Sequence, residues 1–254
     1  MRKTITFIGN GNMAIAIAEG LKDRYDIEVV GRDMHKLDDF EQKLGVACDK
    51  ALLDGFDISD KEIILCIKPN NIEALFELFH GKAATLYSVL AGTSIEKIAS
   101  NINARSYVRA MPNLAATVQK SMTTLTGDKN SKEKALAIFN SIGQTLWLES
   151  EKELDIATAV AGSGPAYLAL IAEALADGAV KTGLKRDDAT ALIRGLFEGF
   201  SALLQEEHPA LLKERVMSPG GTTAAGYGVL EKNGVRHGCI EAVETAYMRA
   251  KELT

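Results

Sequence analysis

The most distinctive chemical pattern in the sequence spans residues 216–231, VMSPGGTTAAGYGVLE. Pro219, Gly220 and Gly221 allow a tight backbone turn, and two threonines follow where an apolar helical pattern begins. The first amides of a helix lack intrahelical acceptors, so they attract anions. The segment therefore predicts a loop that binds a small carboxylate or phosphate at a helix N-terminus. The alternative at this point is an ordinary helix start with a good N-cap and no ligand.

A second phosphate-binding pattern lies at the N-terminus. Residues 4–8 form a short apolar run that predicts a strand, and GNGNMA at residues 9–14 follows it. This segment matches G-x-G-x-x-G/A, the turn between strand and helix in dinucleotide-binding units. Gly9 would make the turn, and Gly11 would let a pyrophosphate approach the backbone. The residues predicted to contact the cofactor here are Gly9, Gly11, Asn12 and Met13.

The end of the second predicted strand indicates which cofactor binds. Residues 27–30, IEVV, predict a second strand that ends at Gly31-Arg32-Asp33. A Rossmann unit recognises the adenosine ribose at this point, and a guanidinium there suits the extra 2′-phosphate of NADP. Asp33 is predicted to cap the next helix rather than to bind the ribose. The sequence therefore predicts NADP as the cofactor, with NADPH preferred and NADH possible.

Alternating strand and helix patterns continue through the first half. Further strands are predicted at residues 62–67, 86–90, 106–111, 122–126 and 145–148. Lys68 and Pro69 follow the first of these at its carboxyl end, where ligands of parallel sheets bind, although a solvated lysine is the common alternative. The alternation predicts an α/β fold with a Rossmann-type doubly wound sheet.

The second half changes character at about residue 151, because strand patterns stop and helical patterns continue. We therefore predict a dinucleotide-binding domain at residues 1–152 and a helical domain at residues 153–254. The helix that begins near Pro165 is apolar on nearly every side, and Asp187 or Asp188 is predicted to cap the next one. A domain of about 100 residues cannot cover such a helix alone, so a partner subunit is predicted.

Composition narrows the function classes. A net charge of -5 argues against a nucleic-acid binder, so small molecules are the expected partners. Cys48, Cys66 and Cys239 lie far apart without other ligands nearby, which predicts reduced, buried thiols and no metal site. The N-terminal apolar run is too short for a signal peptide, and the longest later run, residues 167–172, is too short to span a bilayer. We expect a cytoplasmic protein.

In order and spacing, GNGNMA, CIKPNN, AGTSIEKI, VRAMPN, GSGPAY and SPGGTT resemble the motifs of the pyrroline-5-carboxylate reductase family. The resemblance covers essentially the whole chain, and GSGPAY and SPGGTT are its most specific parts. It implies a Rossmann domain followed by an all-helical C-terminal dimerisation domain, which forms a homodimer or a larger homo-oligomer. It also implies reduction of 1-pyrroline-5-carboxylate to L-proline by NAD(P)H, the last step of proline biosynthesis.

The resemblance extends to individual site residues. It implies that the substrate carboxylate binds in the SPGGTT loop, at Ser218, Gly220, Gly221, Thr222 and Thr223. Thr223 matches the family threonine that hydrogen-bonds near the imine nitrogen, which makes it the catalytic candidate. Asn113 is expected near the nicotinamide end of the cofactor.

Two other functions compete with the reductase. A β-hydroxyacid dehydrogenase of similar build would use a lysine soon after the glycine turn, where this chain has Ala169, Leu170 and Ala172. A catalytically weak or silent NADP-binding protein is suggested by Leu114-Ala115 and Lys120-Ser121, which replace the family's usual Thr-Pro and a later glycine. The lack of a catalytic His, Cys or metal favours the reductase, because hydride transfer to a basic cyclic imine depends mainly on positioning.

Overall fold

An eight-stranded sheet organises the first half of the chain, in a computed structural model that describes residues 2–73 and 78–253. The strand order is β10-β9-β8-β7-β5-β1-β2-β3, and β4 and β6 pair separately. The strands are β1 (Thr4–Ile8), β2 (Asp26–Gly31), β3 (Asp49–Leu52), β4 (Phe56–Asp57), β5 (Glu62–Leu65), β6 (Phe79–His80), β7 (Ala83–Ser88), β8 (Ala104–Met111), β9 (Ser121–Gly127) and β10 (Gly143–Trp147).

Helices cover both faces of this sheet and form the second half of the chain. They are α1 (Asn12–Leu21), α2 (Met34–Leu44), α3 (Ile95–Ala99), α4 (Lys132–Phe139), α5 (Glu151–Ala161), α6 (Gly164–Lys181), α7 (Arg186–Glu206), α8 (Pro209–Val216), α9 (Thr222–Lys232) and α10 (Val235–Leu253). Side chains of α1, α2 and α4 share one buried cluster with Ile5 and Phe7, whereas Ile98 of α3 shares the other with Ile8. The predicted Rossmann-type doubly wound sheet is therefore confirmed.

The direction of the strands was only partly evident from the sequence. All strands from β3 through β8 in the sheet order run parallel, but β9 is antiparallel to β8, and β10 is parallel to β9. The strand order reverses between β1 and β5, since β1 pairs with β2 on one side and with β5 on the other. In open α/β sheets, ligands bind at such a reversal, outside the carboxyl ends of the strands.

Local details confirm one predicted cap and correct another. Asp33 caps α2, because its carboxylate accepts a hydrogen bond from the His35 amide at 2.9 Å. Lys185, by contrast, is the N-cap of α7, so the prediction that Asp187 or Asp188 caps this helix is wrong. Both aspartates lie in its first turn, where negative charge favours the positive end of the helix dipole.

The chain divides into two compact units. The first contains the sheet, runs to Ser163 and also includes the chain from Ala246, and the second is Gly164–Thr245. The composition change placed a boundary between residues 152 and 153, but α5 packs against β8 and β9 and so belongs to the sheet unit. Within the described part of the second unit, three hydrophobic side chains are buried: Ala176, Ala189 and Leu212.

The apolar stretch at residues 151–181 is longer than the run considered in the sequence. Taken together, Glu151–Lys181 is long and apolar enough to cross a membrane by length and composition, so the expectation that residues 167–172 are the longest apolar run, too short to span a bilayer, is wrong on that criterion. The stretch is not one helix, since a turn at Gly162 and Ser163 separates α5 from α6. Core helices of soluble proteins meet the same criterion.

Candidate active site

The glycine-rich turn lies between β1 and α1 and is held by the neighbouring strands. Gly9 has a φ of +105°, and its amide donates to the Val30 carbonyl at 2.9 Å. A Cβ at Gly9 would lie 2.4 Å from the Cys66 carbonyl oxygen, just beyond β5. Both the dihedral angle and the close approach require glycine at this position.

The N-terminus of α1 is open. Gly11 is its N-cap, no side chain caps it, and its first turn has no acidic residue. A Cβ at Gly11 would meet no atom within 4 Å. Asn12 is the exposed first residue of α1, and Met13 packs partly buried against the core. The free amides of this turn can therefore bind an anion, as the motif predicts.

A cleft of about 470 Å³ adjoins this turn. Its lining includes Gly9, Asn10, Gly11, Gly31, Arg32, Leu53, Cys66, Ile67, Lys68, Asn71 and Leu78. Arg32 and Lys68 are exposed, and neither side chain forms a hydrogen bond or ion pair within the described residues. Burial raises the pKa of the Cys66 thiol, which is therefore neutral at pH 7 and does not repel an anion. These residues fit a cofactor that carries phosphates.

Several lining residues were not predicted. Asn10 occupies an unspecified position of the motif, and its amide donates to the Lys36 carbonyl at 3.0 Å, which links the turn to the start of α2. Leu53 and Leu78 form part of an apolar wall. Leu53 follows β3 and Leu78 precedes β6. The hydrophobic pattern predicts neither of these short strands, so the position of the two leucines could not be inferred from it.

Four predicted cofactor residues lie outside the lining of this cleft: Asn12 and Met13 at the start of α1, and Pro69 and Asn113. Pro69 begins a short 3-10 helix at Pro69–Asn71, directly after Lys68. Asn113 caps another at Leu114–Val118: its Oδ1 accepts from the Ala115 amide at 3.0 Å. Its Nδ2 donates to the Ala161 carbonyl of α5 at 2.9 Å. Both ends of the Asn113 amide thus have a partner in the chain.

The SPGGTT loop connects α8 to α9 in the second unit. Gly220 has a φ of +73°, and the Gly221 amide donates to the Ser218 carbonyl at 3.0 Å. A Cβ at Gly221 would lie 2.4 Å from the Ser218 Oγ and 3.2 Å from the Ser218 carbonyl oxygen, so a larger residue there would displace the Ser218 side chain.

The helix that follows this loop has no side-chain cap. Gly221 is the N-cap of α9, and Thr222 and Thr223 are its first two helical residues. The side chains of Ser218, Thr222 and Thr223 are exposed and form no hydrogen bond within the part of the chain that the structure describes. Neither threonine side chain therefore caps α9. The loop presents hydroxyl groups beside a positive helix end.

A polar cluster joins the three helices around this loop. The Arg236 guanidinium of α10 pairs with Glu231 of α9 and donates to the Tyr227 hydroxyl at 2.6 Å. The Lys213 ammonium of α8 lies 5.3 Å from the centroid of the Tyr227 ring. Hydrogen bonds from Arg236 and Tyr227 lower the pKa of Glu231 to about 2. The cluster fixes α9 relative to α8 and α10.

The other side chains that could react or bind a metal ion do not form clusters. Among the described residues, no three His, Cys, Asp or Glu side chains form a group that could hold a metal ion. Cys48 and Cys66 are half-buried, but Cys239 is exposed. In the single chain, the expectation that all three thiols are buried is therefore wrong.

Comparison with known proteins identifies the family. Residues 151–253 match the model for pyrroline-5-carboxylate reductase dimerisation, and residues 4–92 match the model for NADP oxidoreductase, coenzyme F420-dependent. A pyrroline-5-carboxylate reductase of Helicobacter pylori is 35% identical over 246 residues, which cover 94% of this chain and 95% of that protein. The chain belongs to the pyrroline-5-carboxylate reductase family.

Solved structures of pyrroline-5-carboxylate reductases share the whole fold. One from Coxiella burnetii matches with a TM-score of 0.84 and 32% identity, over 100% of this chain and 99% of that chain. A Plasmodium falciparum pyrroline carboxylate reductase with NADP bound matches with a TM-score of 0.77 and 28% identity, over 98% and 99% of the two chains. The resemblance predicted from the motifs is thereby confirmed, as is the helical dimerisation domain.

Proposed function

We propose that this chain reduces 1-pyrroline-5-carboxylate to L-proline with NADPH, as the last step of proline biosynthesis. The observation that carries the proposal is 35% identity to a pyrroline-5-carboxylate reductase over 94% of the chain. The two loops that such a reaction needs support it: an open helix start beside a cationic cleft, and a second open helix start after Gly221. A β-hydroxyacid dehydrogenase would need a lysine soon after the glycine turn at residues 162–164, and this chain has Ala169, Leu170 and Ala172 at those positions.

For the cofactor, we assign the phosphates to the glycine-rich turn and to the side chains of Arg32 and Lys68. The backbone amides of Gly11, Asn12 and Met13 would hold the pyrophosphate, and Gly9, whose own amide donates to the Val30 carbonyl, would shape the turn that lets it approach. Arg32 would pair with the 2′-phosphate, which is the basis for preferring NADPH over NADH. Lys68 and Pro69 lie at the end of β5 on the same edge, and Asn113 stays a proposed neighbour of the nicotinamide.

For the substrate, we assign the carboxylate to the SPGGTT loop. The amides of Gly220, Thr222 and Thr223 and the Ser218 hydroxyl would donate to it, and Gly221, whose amide donates to the Ser218 carbonyl, would shape the loop around it. The reduced nicotinamide supplies the hydride when it is bound, and a cyclic imine is basic enough to arrive partly protonated. The Thr223 hydroxyl would hydrogen-bond near the imine nitrogen, so the chain contributes positioning rather than a strong acid.

The proposal includes a homodimer or larger homo-oligomer formed through the helical domain. Many large apolar side chains of α6 and α7 are exposed in the single chain, among them Leu170, Leu192 and Leu196. Exposed apolar surface of this extent indicates a protein interface. We also propose a cytoplasmic location, because three unpaired cysteines fit a reducing compartment.

The test is the oxidation of NADPH followed by absorbance with 1-pyrroline-5-carboxylate as substrate. We expect turnover with this compound and much weaker turnover with 1-pyrroline, which lacks the carboxylate. NADPH binding without turnover of either compound would favour the silent NADP-binding alternative. Turnover of a β-hydroxyacid with NADP, and none of the imine, would favour the dehydrogenase.

A further inference from the structure

Arg109 of β8 is the largest fully buried side chain in the described structure, with 1% of its surface exposed. Its Nη1 donates to the Glu151 carboxylate at 2.9 Å, and its Nη2 donates to the Asp155 carboxylate at 3.0 Å. Both partners lie on α5. A buried cation requires such partners, so this triad fixes α5 against β8.

Glu151 differs from Asp155 because it has a second partner outside the triad. Its Oε1 also accepts a hydrogen bond from the Ile95 amide at 2.9 Å. Ile95 is the first residue of α3, and the amides of a first turn have no intrahelical acceptor. The Ser94 hydroxyl, which caps α3, serves the Lys97 amide instead. Through its carboxylate, Glu151 therefore connects the end of the loop after β7, at Ile95, with Arg109 in the buried part of β8.

The loops tied in this way lie at the carboxyl edge of the sheet. The glycine-rich turn and Arg32 follow β1 and β2, so they are suited to the adenosine side of a dinucleotide. A dinucleotide at the reversal between β1 and β5 extends its other half toward β5, β7 and β8. The segment after β8 is also attached to α5, through the bond from Asn113 to the Ala161 carbonyl. One helix thus holds both loops on the nicotinamide side.

We infer that Glu151 is a positioning residue for hydride transfer: it sets the loop after β7 where the nicotinamide half of the cofactor must lie. The inference rests on the proposed reductase function. It assigns a different role to each carboxylate of the triad. Asp155 neutralises Arg109, whereas Glu151 also determines the position of the loop.

The experiment compares Glu151→Ala with Asp155→Ala, a matched pair that removes one carboxylate each from the same guanidinium. We expect both variants to lower Tm by similar amounts. Glu151→Ala should lower kcat about tenfold with the KM and Kd for NADPH changed less than about threefold, whereas Asp155→Ala should lower kcat less than about twofold. Glu151→Gln keeps an acceptor for the Ile95 amide and should recover most of kcat.

A readout independent of turnover is amide hydrogen exchange of the peptide that contains Ile95. We expect faster exchange there in Glu151→Ala and no change in Asp155→Ala. Equal losses of kcat in the two alanine variants, or unchanged exchange at Ile95, would show that the triad is only structural. If Glu151→Ala does not fold, Glu151→Asp, which retains the charge but shortens the reach, should show the same fall in kcat, and wild-type kcat would overturn the inference.

The exchange and NADPH-binding measurements separate this inference from the proposed function. A wild-type protein that does not turn over 1-pyrroline-5-carboxylate would refute the function. In that case the selective exposure of the Ile95 amide in Glu151→Ala would still support the role of Glu151 in fixing the loop, and unchanged exchange would still refute it.

Discussion

The sheet unit and the helical unit bury their apolar residues very differently. In the sheet unit, side chains such as Phe7, Val29 and Ile64 are completely buried between strands and helices of the same chain. In the described part of Gly164–Thr245, only Ala176, Ala189 and Leu212 are buried among the hydrophobic residues. The first unit therefore completes its core within one chain, and the second does not.

This difference explains why α6 can be apolar on nearly every side and why α7 leaves an apolar face exposed. A helix that buries one stripe against its own domain needs a polar opposite face. Leu168, Leu170 and Leu175 are exposed on α6, and Leu192 and Phe200 on α7. Residues 151–253 match a dimerisation model, so a second copy is the expected cover for these side chains.

The largest effect is expected when a charge replaces an exposed leucine of the helical unit, and the matched control places the same charge on the sheet unit. Leu196 of α7 and Leu146 of β10 are 56% and 45% exposed in the single chain. Leu196→Asp should weaken the dimer at least about 100-fold, because each Leu loses about 1.5–3 kcal/mol of burial and a buried charge adds to the cost. Leu146→Asp should leave assembly unchanged. Sedimentation velocity measures both, and equal effects of the two substitutions would contradict the account.

Thr223 tests whether the open start of α9 acts in catalysis or only in folding. Thr223→Val keeps the shape of the side chain and removes the hydroxyl. We expect kcat/KM to fall about 10- to 100-fold, the effect of a hydrogen bond of about 1.5–3 kcal/mol to a charged partner, with kcat falling too. A role in binding the carboxylate alone would appear mainly in KM. If activity fell only in proportion to Tm, Thr223 would be a structural residue.

Arg32 tests the cofactor preference of the sheet unit. Arg32→Ala should raise KM for NADPH about tenfold and leave KM for NADH nearly unchanged, because only NADPH has the 2′-phosphate. The Asp33 cap of α2 is not altered by this change, so Tm should stay the same. Equal losses with both cofactors would mean that Arg32 does not select between them.

The strands and the cofactor turn could be predicted because their patterns are local. β1 is Thr4–Ile8 as the apolar run predicts, and Asp33 caps α2. β3 was missed because this edge strand has a polar start and no fully buried side chain. The roles of Arg109 and Glu151 could not be predicted, because they depend on contacts 42 and 56 residues apart in the chain.

A smaller effect is expected at the loop after β8. Gln119 has a φ of +56°, in the left-handed region that glycine adopts without strain. Gln119→Gly should stabilise the sheet unit by up to about 1 kcal/mol, which corresponds to about 2–4 °C in Tm. Lys120→Gly, one residue further on, should destabilise it, since Lys120 has no positive φ. Thermal unfolding by circular dichroism distinguishes the two substitutions.

The smallest expected effect concerns acid stability in the helical unit. The folded-state pKa of Glu231 is about 2, below the usual value of about 4.3, because Arg236 and Tyr227 donate to its carboxylate. A lowered pKa contributes stability above about pH 4.3, and that stability is lost as the pH falls toward 2. Glu231→Gln should therefore flatten the dependence of Tm on pH in this window. The same slope in both proteins would show that the pair contributes nothing.

The most direct test of the difference between the units is sedimentation of the wild-type chain at low micromolar concentration, with NADPH oxidation measured on the same sample. We expect a dimer or larger assembly and no folded monomer, because one chain cannot cover the apolar faces of α6 and α7. A folded monomer that reduces 1-pyrroline-5-carboxylate would contradict this expectation.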